Sequence, residues 1–70
     1  MKLEYDRHAD AIYIRLKDAA IATTRELEDN LIVDLDEHGR MVGIEPLFVS
    51  DYLSPDDIDS FTVTNLRTSA

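Results

Sequence analysis

Leu3 and Tyr5 alternate with Lys2 and Glu4, and Ile12, Ile14 and Leu16 alternate with Tyr13, Arg15 and Lys17; the polar run Asp6-Arg7-His8-Ala9-Asp10 separates the two stretches. A period of two sends successive side chains to opposite faces, so each stretch predicts a half-buried strand and the run between them a turn. Asp18-Ala19-Ala20 breaks the pattern again. In Ile21 to Glu28 the β-branched Ile21, Thr23 and Thr24 favour a strand, with an alternation so weak that it suits an edge. Glu28-Asp29-Asn30 turns the chain into Leu31-Ile32-Val33-Asp34-Leu35, and Asp36-Glu37-His38-Gly39 turns it into Met41-Val42-Gly43-Ile44. Asn30 and Gly39 are residues able to take the positive φ that such turns demand.

The chain then changes character. In Leu53-Ser54-Pro55-Asp56-Asp57-Ile58, Ser54 is placed to be an N-cap and Pro55 the first helical residue. Asp56 and Asp57 suit the positive end of the helix dipole, and Leu53 and Ile58 are spaced as a hydrophobic staple. The β-branched Thr62, Val63 and Thr64 stop the helix early, and residues 65–70 are expected to fray. The expected fold is α+β, mainly β: an antiparallel meander of about five short strands with one short C-terminal helix. A sheet with one apolar face needs a cover. That helix with Leu47, Phe48 and Tyr52 supplies only part of it, so a homodimer is expected.

Composition narrows the picture. At 70 residues the chain holds one core, a single domain over residues 1–70, and 44% apolar with 31% charged residues is ordinary for a folding chain. Absence of cysteine excludes a disulfide framework, a thiol nucleophile and a thiolate zinc site. No apolar run approaches the ~20 residues that span a bilayer, and Met1 to Asp6 lacks a signal-peptide core; a cytoplasmic protein without membrane contact is expected. Fifteen acidic against seven basic side chains give a formal charge of −8, which repels nucleic acid and anionic lipid and leaves a basic protein as the partner such a field suits.

Several short motifs resemble one known family. They are Lys2-x-x-Tyr5-Asp6-x-x-Ala9-Asp10-Ala11-x-Tyr13-Ile14-x-Leu16, Thr24-Arg25-Glu26, Val33-Asp34-x-Asp36-x-x-Gly39 and Val42-Gly43-Ile44-Glu45. Together they resemble the YuzE-like family of small bacterial proteins, over about residues 2–45. The resemblance implies a compact β-rich domain with no established activity, in a family whose genes often neighbour those of small basic toxin-like proteins. Beyond Glu45 the sequence departs from the family pattern, with Pro46 where an apolar strand residue is expected.

Three constellations are candidates for chemistry. Counted from Asp34, oxygen ligands or a turn glycine fall at positions one (Asp34), three (Asp36), six (Gly39) and twelve (Glu45), the spacing of an EF-hand calcium loop. The flanking runs are β-rich where that loop needs helices, so a hairpin with turn carboxylates is the plainer reading. Asp6, His8 and Asp10 cluster in the first turn, as a weak metal site or general base, or as simple turn chemistry with Asp6 capping backbone N–H groups. Tyr5 and Tyr13 flank that turn and are expected to pack across it. Arg25 amid Glu26, Glu28 and Asp29 reads as a charge-compensated solvent face.

No phosphate-cradling glycine loop and no nucleophile signature is present, so no cofactor is expected and an enzyme is the less favoured reading. The leading expectation is a non-enzymatic interaction module that binds a basic partner, as an antitoxin does. Its surface candidates are Tyr5, Asp6, His8, Asp10, Tyr13 and Arg25. The alternatives are a divalent-cation domain through Asp34, Asp36 and Glu45, or a small dimeric enzyme with its site at the cleft between copies.

Overall fold

The computed structural model describes residues 1–67 of the chain. Five strands form one antiparallel sheet: β1 (Lys2–Asp6), β2 (Ala11–Arg15), β3 (Thr23–Glu28), β4 (Leu31–Leu35) and β5 (Met41–Pro46). A 3-10 turn (Val49–Asp51) and the helix α1 (Pro55–Asp59) follow. The expected fold class is what the chain adopts. Its two local units are the β1-β2 hairpin and the β3-β4-β5 meander, and the order β1-β2-β5-β4-β3 joins them through β5, leaving β3 at an edge.

Turn chemistry sets the registers. In the first hairpin Asp6 pairs with Ala11, and Asp10 closes the intervening loop with φ 54°. An αL conformation is tolerated best by Gly, Asn and Asp. Gly39 takes φ 75°, as its place in the β4-β5 turn demanded, whereas Asn30 stays outside the left-handed region and Phe48 enters it with φ 53°. Phe48 is the hinge at which the chain leaves the sheet for the 3-10 turn. β3 begins two residues later than its composition suggested, at Thr23, and β5 runs two residues further, ending with Pro46 opposite Leu31. A proline at a strand end removes no donor from the middle of the ladder.

Residues paired across antiparallel strands share a face, so the registers sort the side chains into two layers. One face is apolar and carries Leu3, Ile12, Ile14, Ile44 and Val33. The other carries Glu4, Tyr13, Arg15, Gly43, Asp34 and Thr24. The molecule is flat, 37 × 34 × 19 Å, and the buried apolar side chains among the described residues are small: Ala11, Val33, Val42 and Val49. The larger aliphatic residues of the apolar face are only half-buried.

Ser54 caps α1 as expected. Its hydroxyl accepts from the Asp57 N–H at 3.2 Å, and the Asp57 carboxylate accepts from the Ser54 N–H at 2.9 Å, a reciprocal capping box with Pro55 at the first helical position. These bonds hold the Asp57 carboxyl below its ordinary pKa, the backbone bond at Ser54 being the largest cause. Leu53 and Ile58 line a groove together with Tyr5 and Arg7, which sets α1 beside β1. Residues 60–67 have no regular structure, and the fraying expected over 65–70 falls partly on residues outside those described.

Candidate functional site

The polar face of the sheet is built around a side chain lying across a strand. Tyr13 projects from β2, and its phenol lies over Gly43 of β5 to donate to Asp34 Oδ2 on β4 at 2.7 Å. Thr24 on β3 donates to the other oxygen, Asp34 Oδ1, at 2.6 Å. One hydrogen-bonded row therefore ties four adjacent strands. Gly43 makes it possible, because an added Cβ would stand 2.5 Å from Tyr13 Cζ. The hydrogen bond to Asp34, followed by burial and the negative charge of Asp34, pushes the Tyr13 phenol above its ordinary pKa of 10.

A second row crosses the same face. Glu26 of β3, Ile32 of β4 and Glu45 of β5 stand opposite one another in register. Glu26 is exposed, and Ile32 and Glu45 are half-buried. Among the described residues neither Glu26 nor Glu45 has an ion-pair partner. The cations of this face are already engaged: Lys2 lies 3.5 Å from Glu4, and Arg15 donates to the Ala19 carbonyl at 2.7 Å with Asp18 at 3.8 Å. The arrangement is an apolar side chain between two free carboxylates. A Lys or Arg from another molecule could lay its stem on Ile32 and its charge between Glu26 and Glu45.

The calcium-loop spacing of Asp34, Asp36 and Glu45 does not become a ligand cage. Asp34 spends both oxygens on Tyr13 and Thr24. Asp36 closes the β4-β5 turn: Oδ1 accepts the N–H groups of His38 and Arg40, both at 2.9 Å, and Oδ2 accepts Lys17 Nζ at 2.7 Å. The Lys17 hydrogen bond, then that from Arg40, holds the Asp36 carboxyl down at about 2. Glu45 stands opposite Ile32 instead of Asp34. β4 holds Asp34 and β5 holds Glu45 in extended chain, with Asp36 at the tight turn between them, where a calcium loop would curl all three around one point. Among the described residues no three His, Asp or Glu side chains are grouped to hold a metal ion.

The first turn resolves into structural roles. Asp6 Oδ1 accepts from the N–H groups of His8 and Ala9, at 3.0 and 3.2 Å, the Asx-turn that its position suggested, and His8 is exposed. Asp10 does something the sequence did not signal. Its carboxylate accepts from the Ser50 N–H at 3.0 Å and from the Ser50 hydroxyl at 2.6 Å, locking the 3-10 turn to the first hairpin forty residues away. Tyr5 and Tyr13 do not pack across the turn. Tyr5 pairs with Ile12 and Tyr13 with Glu4, one step out of phase, so they lie on opposite faces. Arg25 stands exposed opposite Val33, on the apolar face, and no ion pair compensates it among the described residues.

Comparison with known proteins adds one finding. A family model described as "Protein of unknown function (DUF2283)" matches residues 2–50, five residues beyond the stretch that carried the resemblance. No curated protein and no solved structure matches the chain.

Proposed function

We propose a role for a chain that belongs to the DUF2283 family, proteins of unknown function: it is a non-enzymatic interaction module that binds a basic protein through the polar face of its sheet. Within that family we place it with the YuzE-like proteins, on the motif Tyr5-Asp6-x-x-Ala9-Asp10-Ala11-x-Tyr13. The observation that carries the reading is the row Glu26-Ile32-Glu45, two carboxylates without ion-pair partners among the described residues, on either side of an aliphatic side chain. A formal charge of −8 speeds the encounter with a cation-rich surface, and the row gives the bound partner a defined register. The Tyr13-Asp34-Thr24 tie already fixes these side chains, so little of their conformational freedom is left to lose on binding. An antitoxin-like neutralisation of a small basic protein is the form of this activity that the resemblance favours.

The test is capture of basic proteins from cell extract on the tagged chain, followed by calorimetry of the purified pair. A complex is expected that weakens as ionic strength rises from about 50 to about 300 mM. Glu26→Lys with Glu45→Lys should weaken it by ~10-fold or more. Failure to form a complex, or unchanged affinity of the double variant, rejects the reading.

A further inference from the structure

Residues 61–67, after α1, have the composition of a strand and pair with nothing among the described residues. Ser60, the C-cap, leaves the helix in extended geometry, φ −129° and ψ 124°, and Phe61-Thr62-Val63-Thr64 continues with apolar and β-branched polar residues in strict alternation. These are residue types favoured in strands. Yet among the described residues no backbone hydrogen bond involves residues 61–67, and Phe61, Val63 and Leu66 are 59%, 72% and 85% exposed. Three large apolar side chains exposed on one short stretch are the kind of surface that marks an interaction site.

The sheet has a matching vacancy. Of its two edges, β3 is blunted by a register shift between Glu26 and Glu28, a feature that discourages further pairing. β1 has no such defect: all five of its pairs with β2 run in unbroken register, and no described residue pairs with its outer side. Beside that edge lies the open groove of about 460 Å³ lined by Tyr5, Leu53, Pro55 and Ile58, on the apolar side of the sheet. A strand added to β1 with Phe61 and Val63 toward the apolar side sets them against Tyr5 and this groove, and sends Thr62 and Thr64 to the side of Lys2 and Glu4. Residues 61–66 carry no charge, so the added strand itself brings no like charge against Glu4 and Asp6 of β1 or Asp59 of the groove.

We propose that residues 61–66 of one copy add as a sixth strand to the free edge of β1 in a second copy, with Phe61 in the groove between Tyr5 and Ile58, giving a reciprocal dimer. Main-chain hydrogen bonds supply the affinity of such strand addition and the side-chain groove its register. The proposal stands on the tail and the β1 edge and is independent of the basic partner.

Sedimentation equilibrium of the full chain tests it. The wild-type chain is expected to dimerise with a micromolar Kd. Thr62→Pro and Val63→Pro are made separately. Adjacent N–H groups in a strand point to opposite sides, so one of the two prolines removes a ladder donor and should raise Kd by ~10-fold or more. Phe61→Ser should raise it by a similar factor, ~10-fold, through the emptied groove. All three side chains are exposed in the monomer, so circular dichroism should be unchanged. Hydrogen exchange should show protection of alternate amides within 61–66 that is lost on dilution. A wild-type monomer overturns the proposal, whether or not the tail is protected on its own sheet. So does a dimer that tolerates both prolines, the result expected of direct β1-to-β1 pairing.

Discussion

Gly43→Ala is the substitution for which the structure commits to a sign. Alanine is the better residue in an element interior: glycine there costs about 0.5–1 kcal/mol through backbone entropy, so with open space the change would stabilise. Here there is no space. The new Cβ would lie 2.5 Å from Tyr13 Cζ and 3.0 Å from Cε1, with the hydroxyl oxygen nearer still. The ring must swing off the sheet. Overpacking of this kind costs about 1–3 kcal/mol. The 2.7 Å bond from the phenol to Asp34 is lost with it, and Asp34, half-buried, recovers part of that from water. Net of the entropy gain, a loss of about 2 kcal/mol is expected, a fall in Tm of roughly 8–16 °C for a domain of this size. Thermal and urea unfolding followed by circular dichroism measure it. The reasoning also fixes a double-mutant cycle: in a Tyr13→Val background the clash is gone, and Gly43→Ala should be neutral or stabilising. A Tm for Gly43→Ala at or above the wild-type value refutes the argument, as does an equal loss in both backgrounds.

Three further outcomes follow from particular hydrogen bonds. The Asp36 carboxyl titrates at about 2 in the folded chain against an ordinary 3.8, so its contribution to stability is present above 3.8 and is lost as pH falls toward 2; urea midpoints across that range should show the loss, and Asp36→Asn should lack this component. Tyr13 has the opposite sign: its raised phenol pKa contributes stability that is full below 10 and is lost as pH rises through the folded value, so ultraviolet titration should find a tyrosine ionising above 10 whose shift Asp34→Asn reduces, the part due to burial remaining. Asp10 joins an αL backbone to the Ser50 tie, and the two separate by substitution: Asp10→Gly loses the tie alone, while Asp10→Ala should be about 1 kcal/mol worse in urea unfolding because alanine at φ 54° adds strain.

The elements that were legible in the sequence are those whose signal is local. Leu3 to Leu16 declared two strands by alternation, Asp6 declared its turn, and Ser54-Pro55-Asp56-Asp57 declared a capped helix start, each through chemistry within a few residues. What escaped was fixed by distant partners. Nothing near Asp10 points to Ser50, and nothing near Gly43 shows that a tyrosine thirty positions earlier lies across it. Tyr5 and Tyr13 looked like cross-strand neighbours because both flank the turn, but a register one step out puts them on opposite faces. Asp34, Asp36 and Glu45 had the right intervals for a cation loop, and intervals alone do not distinguish a curled loop from a hairpin. The row Glu26-Ile32-Glu45 could be read only once three strands were in register, since its members lie on separate elements.

The place of β5 between β2 and β4 has a consequence for the order in which the molecule can come into being. As the chain leaves the ribosome, the first hairpin and the β3-β4 pair each close on neighbours already made, but the order of the sheet gives them no shared strand. Ile14 meets Ile44, a separation of 44 − 14 = 30 residues. Until residues 41–46 are synthesised there are two ribbons and no sheet. β5 is the strand that joins them into a single sheet.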